Sequence, residues 1–236
     1  MKKIILIIIV FNSVFVMASN NDSTFINGNN LYKKELYKEA IQIYQSIENF
    51  NLSSSICHNI GNCYYKIGEV PKAILFYEKS IKINSNIGSK KNLEIASKRI
   101  KKIEAKPNLF FVNWWIKTVN LYNSNIWLLI ILINIWVLSF SILFFLIKRN
   151  KSSVYILFLF SMLLFLNTFL TKSSINFNKI KYGIILEDVS FNNKNEKILI
   201  PKGNKVKILD TNNNNFHIEI PSGDKGWIED LSLSEI

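Results

Sequence analysis

The stretch that constrains this chain most is the uncharged run from Ile126 to Thr171, broken once by Lys148-Arg149-Asn150-Lys151. Its first part, Ile126–Ile147, is 22 residues without an ionisable side chain. At about 1.5 Å per residue it reaches across a hydrocarbon core of roughly 30 Å. The second part, Val154–Thr171, is 18 residues, near the lower limit for spanning. Backbone amides in lipid must bond within their own segment, so two helices satisfy both runs. The connection 148–153 is short enough to force a hairpin. A chain of 236 residues offers little bulk in which to bury two such helices. The soluble regions before and after the hairpin are therefore expected on one side of a membrane.

That side is set by the start of the chain. Met1-Lys2-Lys3 precedes the apolar Ile4–Met17, and Val16 and Ala18 place small residues for a cleavage before Ser19. Residues 1–18 read as an export signal, with an uncleaved anchor as the alternative. Lys148, Arg149 and Lys151 then fall in the cytoplasmic loop, in accord with the positive-inside rule. The expected location is a bacterial inner membrane, with both soluble regions periplasmic. The net charge of +12 is a nucleic-acid signal only in isolation. Export argues against that partner, and surface lysines near anionic lipid account for the charge.

Between residues 19 and 107 the sequence repeats itself at an offset of 33 residues. Gly28, Asn29, Tyr32, Lys33, Ala40, Ile41 and Tyr44 recur as Gly61, Asn62, Tyr65, Lys66, Ala73, Ile74 and Tyr77. A small residue, an alanine twelve later and an aromatic four after that resemble the tetratricopeptide repeat. Gly61 would let two helices approach, Ala73 would sit at their contact and Tyr77 would fill the gap. Residues 88–105 supply a further, basic helix that reads as a solenoid cap.

On the first helix of the second unit, Cys57, Ile60, Tyr64 and Ile67 form one stripe at helical spacing, the expected core. His58, Asn62, Tyr65 and Lys66 lie opposite, and Asn29, Tyr32 and Lys33 repeat that face. In a tetratricopeptide array this face lines a concave groove for an extended peptide or a partner's tail. Those seven residues are the candidate partner-binding site. Cys57 and Cys63, six apart on one helix, stand about 9 Å apart along the axis and about 120° apart in direction. They are read as buried thiols that do not bridge.

Ahead of the first span, residues 108–125 concentrate aromatics. Phe110, Phe111, Trp114 and Trp115, with Trp127 just beyond, are the expected anchors at the lipid interface. Inside the hairpin, Asn134 and Asn167 are the polar exceptions with Ser139, Ser141 and Ser161. The asparagines are expected to bond each other or a neighbouring protein. The spans carry no charge, so a transport or proton-relay role has nothing to run on.

After a linker, 172–181, residues 182–236 alternate short apolar runs with turn signals at Pro201-Lys202-Gly203-Asn204, Asp210–Asn214 and Pro221-Ser222-Gly223-Asp224. Strands are expected at Tyr182–Leu186, Lys205–Leu209, Asn215–Ile220 and Gly226–Glu229. Ile200-Pro201-Lys202-Gly203, Lys205-Val206-Lys207-Ile208-Leu209 and Gly226-Trp227-Ile228 resemble the bacterial SH3-like domain, which implies a small all-β barrel. Trp227 is open between a core and a contact position.

The fold class is thus a multidomain membrane protein: tetratricopeptide helices, a two-helix transmembrane hairpin and an SH3-like barrel. The sequence shows no nucleophile–base pair, carboxylate cluster, phosphate loop or metal spacing, and points to no enzyme, cofactor or metal. The whole order, with Gly61-Asn62-Cys63-Tyr64-Tyr65, Phe110-Phe111-x-x-Trp114-Trp115, Ser124-Asn125-x-Trp127 and Gly226-Trp227-Ile228, resembles the BatE-type family of Bat aerotolerance operons. That resemblance implies work beside von Willebrand A-type membrane proteins and a MoxR-type AAA+ ATPase in envelope or oxidative-stress tolerance. Two functions are carried forward. One is a non-catalytic scaffold that gathers proteins through its repeats. The other is an envelope sensor or anchor whose SH3-like domain binds peptidoglycan or a periplasmic peptide.

Overall fold

The computed structural model describes residues 23–148, 151–193, 196–212, 215–229 and 232–236. The export signal read at 1–18 lies outside them, as do Arg149 and Asn150 of the interspan loop. The chain forms two compact units. One joins the helices before Ala105 to Lys181–Ile236, and the other is Lys106–Ile180.

The first unit begins with helix α1, described over 23–33, and α2 (Tyr37–Ser46). A second antiparallel pair follows, α3 (Ser54–Lys66) and α4 (Val70–Ile83), then α5 (Ile87–Ser97). Local chemistry sets these limits. The Ser53 hydroxyl accepts the Ile56 N–H at the start of α3. Gly68 leaves α3 with φ +86°, a left-handed turn open to glycine. Pro71 sits in the first turn of α4, where its missing N–H costs nothing. Cys57 and Ile60 are fully buried, while Tyr64 and Ile67 pack half-buried against the same core. Tyr44, Ala73 and Tyr77 complete it.

The expected helix over 88–105 is shorter than its basic pattern implied. After Ser97 the chain turns and runs without regular structure to Leu109. The cause is the β region, which offers these residues other hydrogen-bond partners. Asn204, 4 % exposed, donates through Nδ2 to the Lys101 carbonyl at 2.8 Å and accepts the Ile103 N–H at 2.9 Å.

The β region is antiparallel throughout. Strands β1 (Lys181–Ile185), β4 (Lys205–Asn212), β5 (Asn215–Glu219), β6 (Lys225–Glu229) and β7 (Leu233–Glu235) form one sheet, ordered β6-β5-β4-β1-β7. The hairpin β2 (Val189–Asn193) and β3 (Glu196–Ile200) forms a second, and Phe191 and Ile200 join the sheet's core. This hairpin adds two strands to those expected from sequence, and Phe191 on β2 is buried in that core. Between Ile208 and Asp210 the β4–β5 register shifts, with Leu209 as the extra residue.

Strand β1 belongs to two cores. Ile184 packs among the helices and Ile185 among the strands, because successive side chains of a strand face opposite ways. Each is fully buried, worth about 1.5–3 kcal/mol of transfer free energy. Lys205 adds a 2.8 Å ion pair to Glu78 of α4, and Lys82 donates to the Ile236 carbonyl at 2.5 Å. Ile100 occupies the space in which a side chain on Gly203 would stand. The repeats and the sheet are therefore one body.

The second unit holds α6 (Phe110–Val119), α7 (Ser124–Lys148) and α8 (Lys151–Asn178). α8 continues through most of the stretch read as a linker, 172–181. Within α7 and α8, Ser124–Ile147 and Val154–Phe177 are 24 residues each, with mean hydropathy 2.7 and 2.1. Both are long and apolar enough to cross a membrane. Only 6 % and 11 % of their apolar windows are buried, unlike the core helices of a soluble protein.

Candidate functional site

The 33-residue offset becomes a physical lattice on one face of the helices. The Tyr44 hydroxyl donates to Asn29 Oδ1 at 2.7 Å, and Asn59 Nδ2 donates to the same oxygen at 3.0 Å. One repeat later, the Tyr77 hydroxyl donates to Asn62 Oδ1 at 2.9 Å, and Asn92 Nδ2 donates to the same oxygen at 2.8 Å. Each carbonyl oxygen thus accepts two bonds, which fixes the orientation of its amide. The amide nitrogens of Asn29 and Asn62 have no hydrogen-bond partner among the described residues. They are donors held ready for an acceptor such as a peptide carbonyl.

Burial pushes the Tyr44 hydroxyl up to about 12 and raises Tyr77 and Tyr32 as well, so these phenols, already protonated near neutrality, stay donors. Both Tyr44 and Tyr77 are only 1 % exposed, so each ring is a core spacer whose tip reaches the groove.

Two depressions run together on this face. One, of ≈ 290 Å³, is lined by Asn29, Tyr32, Lys33, Tyr44, Asn59 and Asn62. The other, of ≈ 240 Å³, is lined by Tyr32, Asn62, Tyr65, Lys66, Tyr77, Asn92 and Ile95. Tyr32 and Asn62 are common to both, which makes a continuous groove. Lys33 and Lys66 are exposed at its rim, and Arg99 stacks its guanidinium 4.5 Å from the Tyr65 ring centre.

Six of the seven candidate groove residues line these depressions. His58 does not. Its Nδ1 bonds the Ser89 hydroxyl at 2.8 Å, and its ring lies 6.1 Å from that of Tyr77. It joins a buried chain through Ser89 and Ser80, 2.7 Å apart, to the Ser54 carbonyl. Burial lowers its basicity. Sequence reasoning missed Tyr44, Asn59, Tyr77 and Asn92 as groove residues. The signal was present, since Asn59 and Asn92 stand at the same offset as the pairs it used.

Among the candidate interface anchors, Phe110, Phe111 and Trp114 are well exposed on α6. Trp115 is half-buried against Phe169, 5.2 Å away. Trp127 points inward, 6 % exposed, and its indole N–H donates to the Val119 carbonyl at 3.1 Å. Of the two intramembrane candidates, Asn134 donates to the Ile130 carbonyl of its own helix at 3.0 Å. Asn167 shares no hydrogen bond with it, and its backbone carbonyl accepts from the Thr171 hydroxyl.

On the sheet, Trp227 is 47 % exposed and stacks on His217 with ring centres 4.9 Å apart and an interplanar angle of 15°. It is a surface residue. Cys57 and Cys63 are both buried free thiols, and burial pushes Cys63 up to about 12 and raises Cys57. Among the described residues no group of histidine, cysteine and carboxylate side chains converges as a metal site would.

The tetratricopeptide repeat family profile matches residues 54–87, which are α3, α4 and the first residue of α5. No curated protein matches the chain in sequence. A tetratricopeptide repeat is typically a protein-interaction module, and the matched stretch supplies Asn59, Asn62, Tyr65, Lys66 and Tyr77 of the groove, the other lining residues lying outside the match.

Proposed function

We propose that this chain is a non-catalytic membrane scaffold that gathers partner proteins through its helical groove. The carrying observation is the repeated Tyr–Asn lattice, which leaves the Asn29 and Asn62 amides as oriented donors beside Lys33 and Lys66. An extended backbone with acidic groups matches that arrangement. The two bare apolar helices would tether the groove to an inner membrane, with the aromatic face of α6 resting at the lipid interface. Lys148, Arg149 and Lys151 would lie inside, and both soluble regions in the periplasm. The SH3-like reading of residues 182–236 and the resemblance to BatE-type proteins favour a place in a Bat-type tolerance complex. Von Willebrand A-type proteins and a MoxR-type ATPase would be its associates.

The test is co-purification from detergent-solubilised membranes. Lys33→Ala/Lys66→Ala should lower partner recovery by about tenfold or more at equal membrane levels, since each charged hydrogen bond is worth about 1.5–3 kcal/mol. Unchanged recovery would exclude the groove as the docking site. Alkaline phosphatase fused after residue 105 and after residue 236 should be active in both cases. Activity only from a fusion at residue 150 would overturn the orientation.

A second reading has one specific support, the exposed Trp227–His217 stack. In that reading the β region contacts peptidoglycan or a periplasmic peptide. Sedimentation with purified cell wall, lost in Trp227→Ala, would favour it over the scaffold.

A further inference from the structure

We propose that the cleft between the end of β3 and the segment after α5 is a second docking site, which takes an extended acidic peptide by strand addition to β3. The cleft is distinct from the groove and has a volume of ≈ 400 Å³. Its charged lining is three cations, Arg99, Lys101 and Lys202, and two acids, Glu69 and Asp188, beside apolar residues such as Leu199.

Two independent observations define the occupant. The first is an open edge. β3 pairs only with β2, in a sheet of two strands, so its other edge meets no strand among the described residues. Leu199 on that strand is 60 % exposed and lines the cleft. Open edges are normally covered or blunted, because their outward N–H and C=O groups recruit another strand. An extended peptide supplies the missing partner through its main chain, and side-chain contacts select its sequence.

The second observation is the charge. Glu69 is engaged by Lys72 at 3.5 Å, and Asp188 accepts the Lys202 backbone N–H at 2.7 Å. The side chains of Arg99, Lys101 and Lys202 form no ion pair among the described residues, and all three residues are exposed. Three unpaired cations outnumber the two acids of the lining, both already engaged, and stand next to apolar side chains; this matches a strand that alternates carboxylate and branched apolar residues. Such a peptide would touch both the repeats and the β region.

The experiment uses the full chain in detergent micelles and fluorescein-labelled peptides read by anisotropy. The probe alternates Glu and Val, its twin alternates Lys and Val, and a third copy of the probe is N-methylated at alternate residues. The acidic probe should bind and the Lys twin should not. Lys101→Glu/Lys202→Glu should weaken binding by about tenfold or more, and it leaves the Arg99–Tyr65 stack at the groove untouched. N-methylation should weaken it similarly, because it removes main-chain donors without changing charge. Lys33→Ala/Lys66→Ala should leave it intact, which separates this site from the groove. The proposal is overturned by no binding of the acidic probe, by equal binding of the twin, or by indifference to the charge reversal or to N-methylation. Loss of binding in the groove variant would also overturn it.

Discussion

The Tyr77 hydroxyl donates to the side-chain carbonyl of Asn62 at 2.9 Å while its ring fills the space in front of Gly61. A Cβ on Gly61 would stand 2.7 Å from two of the ring carbons. One residue therefore spaces the helices and orients a groove amide. Gly61→Ala should push the ring back, at a cost of about 1–3 kcal/mol, and pull the hydroxyl off Asn62. Tyr77→Phe keeps the ring and should cost only about 1 kcal/mol. Thermal unfolding of both variants checks the ordering, and an unperturbed Gly61→Ala would contradict it.

This coupling explains how much was legible in the sequence. Gly61, Ala73 and Tyr77 report a helix contact because their sizes must fit, so the repeat could be read from spacing alone. Asn59 and Asn92 carry no size signal, and only the folded lattice shows that their amides hold Asn29 and Asn62. The β strands at Lys205 and Asn215 alternate visibly because one face is wet. The docking of β1 on the helices was not read, although Ile184-Ile185-Leu186 is apolar on both faces and so fits burial on both sides. His58 was misplaced by helical spacing, which gives a face but not the partner, Ser89, that turns a side chain away from it.

Asn204 ties the segment after α5 to the β region through bonds to Lys101, Ile103 and Pro201. Asn204→Ala should leave these part-buried backbone groups without their partner and cost about 1–2 kcal/mol. Hydrogen exchange should then accelerate at Ile103 ahead of α3. Equal protection at Ile103 in variant and wild type would show that the docking does not depend on this side chain.

His58 gives the repeats a pH dependence. Burial lowers its folded pKa below the ordinary value of 6.5, so the unfolded chain binds the proton more readily. The resulting stability is fully present above 6.5 and is lost as pH falls from there through the folded value. His58→Gln should flatten that part of the unfolding profile measured by circular dichroism. An identical slope in the variant would assign the dependence to another group.

The thiols should be inert in the folded state. Burial raises both, with Cys63 at about 12, so little thiolate exists near neutrality. Iodoacetamide should label neither rapidly in native protein and both after denaturation. Fast native labelling of Cys63 would mean that the α3 core opens easily.

The central claim is that partners dock in the helical groove, and site-directed photocrosslinking in living cells tests it most directly. A benzophenone side chain at Tyr65, in the groove, should capture a discrete protein partner. The same probe at Trp227, on the outer face of the sheet, should not. Lys33→Ala/Lys66→Ala should abolish the Tyr65 adduct at unchanged membrane levels. Capture at Trp227 with none at Tyr65 would contradict the account and move the docking function to the β region.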